Sequence, residues 1–430
     1  MIRIYTHQNQ NRLVRPKPLS IHELHRNLLY PAADHTNTKL WETEHFINTL
    51  KKLPHSDKHF EFCNWDKDIP ISRQGYYLLH YGSSREIQDN LGFIFLPPEV
   101  RDQINDGTLT LLVAFVFETF DNNISIASWQ SKFCLLLSAL GITRPNSVKV
   151  LLGANSKVMH EHCDWRVAWI YYPWFEASLQ AEAQSYYKDI DQLPKYSPAA
   201  SKKYKFLSLN LNPRSHRLIM TSMLEFLDVV KYGYVSWSGT NNRLLPETSH
   251  LNLFSTGIKQ NSAFEQFMML NHRLTGTYHN STADTDTGQT APTWMSSMPL
   301  YQQAEFELIN ETHHQNIGDL IFLTEKTFRA LFAGIPFLLF GNPGSLALLH
   351  QLGYKTFPKV FDEYYDEIYA PMRSVEFVAG QVHKVCTHSP GWSNMLYHQE
   401  TTDIVNFNQK HFWTKMHAPE IWKAIIHSNN

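Results

Sequence analysis

A turn rich in asparagine and arginine follows the strand predicted at residues 204–209 and precedes the helix predicted at 216–231. Asn210 opens this turn, and Arg214 and Arg217 lie close to the expected helix N-terminus. Backbone N–H groups at a helix N-terminus bind anions, and guanidinium groups pair with phosphate oxygens. The pattern is therefore compatible with a diphosphate site. The alternative is that these are ordinary surface arginines at a helix start.

A second group of reactive side chains follows the strand predicted at residues 304–309. Glu311 comes just after this strand. Thr324 is a predicted N-cap, with Glu325 and Lys326 in the first turn of the next helix. Glutamate suits that position, but lysine opposes the helix dipole unless an anion binds there. A carboxylate beside a lysine can hold a ribose diol and a diphosphate together, whereas an ordinary cap with a solvated lysine is the alternative.

The candidates for acid–base chemistry follow the most apolar run of the N-terminal half, residues 109–117. Such a run is typical of a strand buried on both faces of a parallel sheet. Glu118 ends it, and ligands in open α/β sheets bind outside the carboxyl ends of strands. Glu118 is therefore a candidate general base for an acceptor hydroxyl. Asp121 is an equivalent rival, and a capping or surface role is the alternative for Glu118.

Two other clusters contain residue types that occur at ligand sites, but each has a simpler interpretation. Residues 160–164 include four metal-ligand types, but no second pair stands at zinc-finger spacing, so we expect no metal site. An aromatic cluster at residues 165–174 suits either a hydrophobic core or a face on which sugars and bases stack. The members of the two clusters are His160, His162, Cys163 and Asp164, and Trp165, Trp169, Tyr171, Tyr172 and Trp174.

Strands and helices alternate in both halves of the chain, which predicts an α/β fold with parallel sheets. In the N-terminal half a strand at 109–117, a helix at 129–140 and a strand at 148–153 form one βαβ unit. In the C-terminal half, strands are predicted at 204–209, 234–237, 304–309 and 336–340, and helices at 216–231, 325–334 and 345–352. Linker-like compositions at 191–203 and 276–299 separate these segments.

Composition excludes some classes of protein. The chain has 430 residues, enough for two or three domains, and a net charge of −2. Because 13% of residues are aromatic and only 18% are charged, the chain is neither disordered nor a polyanion binder over its whole surface. Four scattered cysteines, no apolar signal segment and no membrane-spanning run predict a cytoplasmic protein, or one in the host cytoplasm if the gene is viral.

Four segments of the C-terminal half resemble GT-B glycosyltransferases. They are FLSLNLNPRSHR, FELINET, LTEKTFRALFAGIPFLLFGNPG and LGYKTFPKVFDEYYDEI. The resemblance is to fucosyltransferase- and exostosin-like enzymes, especially a group carried by large tailed phages. It covers roughly residues 204–368, and the block from Thr-Glu-Lys to Gly-Asn-Pro-Gly is its most specific part.

The resemblance implies two Rossmann-like domains facing across a cleft. Residues 1–200 would form the acceptor domain, residues 201–400 the nucleotide-sugar domain, and residues 401–430 a helical tail that packs back on the first domain. Arg214, Arg217 and Lys326 would face the diphosphate and Glu325 the ribose. Asn210, Glu311 and Thr324 would complete the donor site. No cofactor or metal is expected, because helix dipole and basic residues replace the metal.

The predicted function is transfer of a sugar from a nucleotide-sugar donor to an acceptor hydroxyl on a glycan, a protein or a modified DNA base. One alternative is a phage enzyme acting on hydroxymethylated pyrimidines in DNA. Residues 1–75 hold 11 Lys and Arg against 8 Asp and Glu, a net +3 that falls short of a DNA-binding footprint. The other alternative is a non-catalytic, virion-associated protein that binds sugar nucleotides or glycans.

Overall fold

Two parallel sheets organise the chain, and each lies in its own compact unit. The first unit comprises residues 1–185 and 416–430, and the second comprises residues 186–415. The structure, a computed structural model, describes residues 2–6, 46–64, 75–80, 96–116, 126–156, 164–193, 195–196, 202–210, 215–237, 279–280, 297–314, 320–387, 396 and 398–428.

The sheet of the first unit has six parallel strands in the order β2-β1-β3-β4-β5-β7. An order of 2-1-3-4-5 is typical of doubly wound α/β folds. The strands of this unit are β1 (Ile2–Thr6), β2 (Phe60–Asn64), β3 (Gly75–His80), β4 (Leu109–Phe115), β5 (Val148–Leu152), β6 (Asn155–Ser156) and β7 (Val167–Tyr171). Every residue of β4 and β5 is buried, as expected for central strands of a parallel sheet.

Helices of the first unit include one from the far end of the chain, α11. They are α1 (Ser56–His59), α2 (Pro98–Asp106), α3 (Ile126–Ala139), α4 (Trp174–Tyr186) and α11 (His417–His427). Residues 46–52 are also helical. Ala418, Ile421 and Ile425 of α11 join the main core cluster of the unit, so the last helix completes a core begun by β1.

Buried polar contacts at both ends of α11 hold it against this unit. The Lys149 ammonium, on a side chain only 2% exposed, donates to the carbonyl of Ile425 in the last turn of α11. A cation is favourable there because the last carbonyls of a helix lack intrahelical partners. At the other end of α11, His417 Nδ1 pairs with the Tyr172 hydroxyl, and His417 Nε2 lies 3.9 Å from Glu176 Oε1.

The aromatic cluster at residues 165–174 belongs mainly to the core of the first unit. Trp169, Tyr172 and Trp174 are at most 8% exposed, and Trp169 packs against Trp129 with ring centroids 5.4 Å apart. Trp165 alone among the described members of the cluster is largely exposed, at 57%. Core packing is therefore the main role of this cluster.

The sheet of the second unit has five parallel strands in the order β10-β9-β8-β11-β13. Its strands are β8 (Tyr204–Ser208), β9 (Gly233–Trp237), β10 (His279–Asn280), β11 (Ala304–Asn310), β12 (Leu320–Ile321) and β13 (Phe337–Phe340). Its helices are α5 (Ser215–Phe226), α6 (Met298–Gln302), α7 (Glu325–Ala333), α8 (Ser345–Gln351), α9 (Pro371–Thr387) and α10 (Gln399–Thr414). Short 3-10 turns occupy Ile190–Gln192, Val230–Tyr232 and Glu363–Glu367.

Helix α7 has well-defined ends. The Thr324 side chain caps its N-terminus, and Gly334 ends it in the left-handed conformation at φ +67°. Seven consecutive residues, 327–333, are buried, and α7 packs against α10. The Gln409 amide donates to the Phe332 carbonyl at 2.8 Å, which satisfies an acceptor near the end of α7.

The predicted fold class, an α/β fold with two Rossmann-like domains, is confirmed by the two parallel sheets. Predicted helix 216–231 ends earlier, at Phe226, and a separate 3-10 turn follows. Asp228 breaks the helix there because it adopts a left-handed conformation at φ 55°. None of the helices in the described ranges is long and apolar enough to cross a membrane.

Candidate functional site

The order of the second sheet indicates where a ligand is expected to bind. Counted within this unit, its strands run 3-2-1-4-5, so the order reverses between the first strand, β8, and the fourth, β11. In open α/β sheets ligands bind outside the carboxyl ends of strands at such a switch point. The residues that end these two strands, 208–210 and 310–314, therefore lie at the expected binding position.

Four small polar residues form one buried hydrogen-bonded network at this edge. Asn310 Nδ2 donates to Ser208 Oγ at 2.9 Å and to Asn210 Oδ1 at 3.1 Å. The Asn210 backbone N–H donates to Ser236 Oγ at 3.0 Å. All four are at most 1% exposed. Asn310 Oδ1 accepts no hydrogen bond from the described residues, so the network keeps one unused acceptor.

The side chain of Glu311 accepts hydrogen bonds from residues at the N-terminus of α7. Its Oε1 accepts from the Thr324 backbone N–H at 2.9 Å and from the Thr327 hydroxyl at 2.5 Å. Its Oε2 accepts from the Thr324 hydroxyl at 2.6 Å and from the Thr312 backbone N–H at 3.0 Å. Because both oxygens already accept two hydrogen bonds and the residue is 1% exposed, its main role in this structure is to fix the first turn of α7.

The backbone carbonyl of Glu311 is held by two side chains from the start of α5. His216 Nε2 lies 2.8 Å from this oxygen, and Arg217 Nη2 donates to it at 3.2 Å. A carbonyl oxygen only accepts, so His216 Nε2 carries a proton. Arg217 is 2% exposed, so its guanidinium is buried. Its hydrogen bond to the Glu311 carbonyl connects α5 to the end of β11.

The Lys326 ammonium is held at the N-terminus of α7 by three oxygens. It lies 2.6 Å from Glu325 Oε1, 3.2 Å from Thr312 Oγ1 and 3.4 Å from Thr324 Oγ1. Its side chain is 12% exposed, whereas that of Glu325 is 40% exposed. The first turn of α7 therefore combines a fixed cation with the positive end of a helix dipole, an arrangement that favours an anion.

Glu325 is ionised over the whole physiological range. Burial by itself raises the pKa of this carboxyl, but the Lys326 ammonium and the Arg329 guanidinium outweigh burial and lower the pKa to about 2. An ionised carboxylate accepts hydrogen bonds without donating any. Glu325 can therefore accept from ligand hydroxyl groups beside the cation.

Aromatic rings border the polar edge on the side of β13. The His314 ring stacks on Phe340 with centroids 4.1 Å apart, and His216 lies 6.2 Å from the same Phe340 ring. Burial lowers the pKa of His314 from 6.5 to about 4, so this imidazole is neutral at neutral pH. Its Nε2 lies 3.4 Å from Ser374 Oγ.

The loop at residues 341–344 lies directly beside Glu311. A Cβ atom at Gly341 would come within 3.0 Å of Ser345 Oγ and 3.5 Å of Glu311 Cβ, so glycine allows this close approach. Gly344 adopts φ +88°, and its N–H donates to the Asp366 carbonyl at 2.9 Å. The loop thereby connects the polar edge to the 3-10 turn Glu363–Glu367.

The structure brings most of the predicted donor-site residues together and leaves others undescribed. The residues that surround the ends of β8 and β11 and the start of α7 are Asn210, Arg217, Glu311, Thr324, Glu325 and Lys326. The predicted residues that lie outside the described ranges are Glu118, Asp121 and Arg214, and the metal-ligand types His160, His162 and Cys163. Within the described ranges, no group of three His, Cys, Asp or Glu side chains could hold a metal ion.

Sequence reasoning missed several residues that shape the site. Thr312 and Thr327 were not predicted, although they contact Lys326 and Glu311 respectively. The spacing of Thr324 and Thr327 was an available signal, because residues three apart share one face of a helix. No comparable signal identified His216, because its contact with the Glu311 carbonyl spans 95 residues of sequence.

No protein-family model matches the sequence, and a comparison with curated proteins finds no significant match. Among solved structures, the chain is similar to an alpha1,3-fucosyltransferase, with 10% identity, a TM-score of 0.36, and coverage of 97% of this chain and 91% of that chain. The glycosyltransferase of kitacinnamycin matches with 10% identity and a TM-score of 0.31, covering 92% and 85%.

A UDP-GlcNAc 2-epimerase from Neisseria meningitidis, bound to UDP-GlcNAc, is also similar. The identity is 10%, the TM-score is 0.29, and the match covers 99% of this chain and 98% of that chain. The structural neighbours thus include glycosyltransferases and an enzyme of another class.

Proposed function

We propose that the chain is a glycosyltransferase that uses a nucleotide-sugar donor. The observation that carries the proposal is the position of Glu325 and Lys326, which begin α7 beside the switch point of the second sheet. A lysine in the first turn opposes the helix dipole, yet three oxygens hold its ammonium in place. A bound diphosphate compensates for this conflict. The sequence resemblance assigns the same two residues to the donor.

Each residue of the site has a distinct part in this proposal. The Lys326 ammonium and the N–H groups of α7 bind the diphosphate and stabilise its charge as it leaves, so no metal is required. The Glu325 carboxylate accepts from the ribose hydroxyls. Glu311 and Arg217 fix the elements that carry these groups, and Arg214 adds a second guanidinium. Asn210 and Asn310 supply amide groups at the ends of β8 and β11.

The acceptor side is assigned to residues 1–200 and the donor side to residues 201–400. The acceptor hydroxyl attacks the anomeric carbon of the donor sugar, and the bond from this carbon to the diphosphate breaks. Glu118 is the proposed base that takes the hydroxyl proton, with Asp121 as its rival. The acceptor is a glycan, a protein or a modified DNA base.

The donor assignment is tested with Lys326→Met, which removes the charge and keeps the apolar stem. A panel of nucleoside diphosphate sugars is screened by thermal shift, since a ligand at a hundred times its Kd stabilises a protein by about 2.7 kcal/mol. We expect the variant to bind the selected donor about ten- to a hundredfold more weakly, because a charged hydrogen bond contributes roughly 1.5–3 kcal/mol.

The matched control is Lys384→Met, a change of the same kind at an exposed position of α9. It should bind donor as the unchanged protein does. Equal donor affinity in both variants, measured by calorimetry, would remove Lys326 from the site. Mass spectrometry of glycan, protein and hydroxymethylated-DNA acceptors then identifies the product, and Glu118→Gln should bind donor but lose transfer by ~10²–10⁴-fold.

A further inference from the structure

A groove of about 590 Å³ opens on the second unit beyond the loop at residues 341–344. Its walls come from the 3-10 turn Glu363–Glu367, the residues after this turn and the first two turns of α9. This volume lies within the ~300–1,000 Å³ typical of small-molecule sites. The side chains that give the groove its chemistry are Tyr364, Glu367, Tyr369, Arg373, Glu376 and Phe377.

Two aromatic rings of this groove are largely exposed. Tyr364 is 59% exposed and Tyr369 is 61% exposed. Tyr364 packs edge-on against Phe377, with ring centroids 6.0 Å apart, so the exposed surface includes a fixed ring face. Exposed aromatic rings that are grouped in one groove, rather than scattered singly, are a feature of ligand-binding grooves.

The turn that presents Tyr364 is anchored on both sides. The Asp362 side chain accepts from the Tyr364 backbone N–H at 3.1 Å, and the buried Tyr365 hydroxyl accepts from the Leu339 backbone N–H at 3.3 Å. Asp366 accepts from the Leu346 backbone N–H at 3.1 Å. Because these neighbours tie the turn to β13 and α8, Tyr364 is presented without a large loss of entropy on binding.

Charged groups in the groove are available to a ligand. Arg373 and Glu376 are three residues apart on α9 and therefore share one face of the helix. Both are exposed, as is Glu367 at the end of the turn. None of these three side chains forms an ion pair or hydrogen bond with another described residue.

The charge balance narrows the class of ligand. Two carboxylates against one guanidinium give these groups a net charge of −1, which disfavours nucleic acid and other polyanions. Glutamate is depleted from the centres of protein interfaces, whereas tyrosine and arginine are enriched there, so this composition does not by itself indicate a protein partner. A neutral polyhydroxylated ligand suits the groove better, since its C–H faces stack on aromatic rings and its hydroxyls pair with carboxylate and guanidinium groups.

We infer that this groove binds a neutral oligosaccharide, with Tyr364 and Tyr369 stacking on sugar rings and Arg373, Glu367 and Glu376 pairing with hydroxyls. The groove adjoins the candidate donor site, because Gly344 donates to the Asp366 carbonyl and Gly341 lies against Glu311. Carbohydrate binding at this groove goes beyond the proposed function and does not rest on it.

The test measures binding of neutral oligosaccharides to the full chain by saturation-transfer NMR and calorimetry. The probes are cello-, malto- and chito-oligosaccharides, with polyuridylate as the anionic comparison. We expect at least one oligosaccharide to bind, and Tyr364→Ala and Tyr369→Ala each to weaken it at least tenfold. Tyr186→Ala is the matched control, because Tyr186 is 56% exposed and does not line the groove.

The inference is overturned if no oligosaccharide of the panel binds, or if the double variant of Tyr364 and Tyr369 binds as tightly as the unchanged chain. Binding of polyuridylate at the groove, lost in the same double variant, also overturns it. Donor binding is measured in parallel and should be unchanged in the double variant. A chain that binds oligosaccharide but no nucleotide sugar would contradict the proposed function and leave the groove assignment intact.

Discussion

The carboxyl group of Glu311 accepts two hydrogen bonds from Thr324, one from the backbone N–H at 2.9 Å and one from the hydroxyl at 2.6 Å. Thr324 immediately precedes Glu325 and Lys326, and its hydroxyl oxygen lies 3.4 Å from Lys326 Nζ. A shift of Glu311 is therefore expected to move the ammonium. Glu311 is best described as a positioning residue that acts through the first turn of α7.

Glu311→Gln should destabilise the second unit. The amide offers –NH₂ where an oxygen now faces two hydrogen-bond donors, so at least one buried donor loses its acceptor. Such a loss costs about 1–3 kcal/mol of the free energy of unfolding, measured by urea denaturation. The control is Glu400→Gln, which breaks the exposed pair with Lys359 and should cost about 0–1 kcal/mol. Equal effects of the two substitutions would contradict the assignment.

Thr327→Val should weaken the same support without changing the size of the side chain. The variant lacks the hydroxyl that donates to Glu311 Oε1. We expect a loss of about 1 kcal/mol or more in unfolding free energy, because the hydrogen bond is buried. Thr327→Ser restores the hydroxyl and should recover much of the loss. If Thr327→Ser and Thr327→Val lower the free energy of unfolding equally, the hydrogen bond to Glu311 is not the main contribution of Thr327.

Acid should weaken the contribution of Glu325 to stability. Its folded-state pKa is about 2, below the ordinary value of 4.5, so its ionised form is favoured in the folded chain. The stabilisation is fully present above pH 4.5 and is lost as the pH falls towards 2. Glu325→Gln should therefore be less stable than the unchanged chain at pH 6, and this difference should shrink towards pH 2. A difference independent of pH would contradict this.

His314 should make the second unit sensitive to mild acid. Its pKa is about 4 in the folded chain and 6.5 ordinarily, so between these values the unfolded chain binds a proton that the folded chain does not. Stability should fall as the pH decreases from 6.5 to 4. His314→Phe removes this proton uptake and should flatten the profile of unfolding midpoint against pH. A profile for His314→Phe that keeps the slope of the unchanged chain between pH 6.5 and 4 would contradict this assignment.

Lys149 should give the first unit a rise in stability with alkaline pH. Burial lowers the pKa of this ammonium from 10.5 to about 8. Burial of the charge outweighs the favourable contact with the Ile425 carbonyl, so the ammonium costs stability below pH 8, and this cost is relieved as the pH rises from 8 towards 10.5. Denaturation of the unchanged chain and of Lys149→Met across this window should show the rise only in the former. If the free energy of unfolding changes with pH in the same way in both proteins, the pKa of Lys149 is not lowered by folding.

The sequence predicted elements best where local signals agree. Helix α7 has a threonine cap, a terminal glycine and the fully buried strand β13 directly after it, and each of these signals is local in the sequence. Helix α9 was not predicted. It contains four valines and Gly380, which have low helix propensity, so its stability depends on packing against α5.

The sequence predicted which residues lie near the site more easily than how deeply each of them is buried. Arg217 was expected at a phosphate but is only 2% exposed. Its partner, the Glu311 carbonyl, is 94 residues away in sequence. A helix start predicts that a guanidinium is near backbone N–H groups, but the burial of this side chain depends on a contact between α5 and the end of β11, which are far apart in sequence.

The position of α11 has a consequence for how the protein is made. On the ribosome, residues 1–185 emerge without the helix that completes their core, while residues 186–415 follow as one uninterrupted stretch. At ~5–20 residues per second, the earlier segment waits roughly ten to fifty seconds for its last helix. The second unit is synthesised later but can be the first to finish folding. The apolar surface of the first unit that α11 will cover is exposed to chaperones throughout that interval.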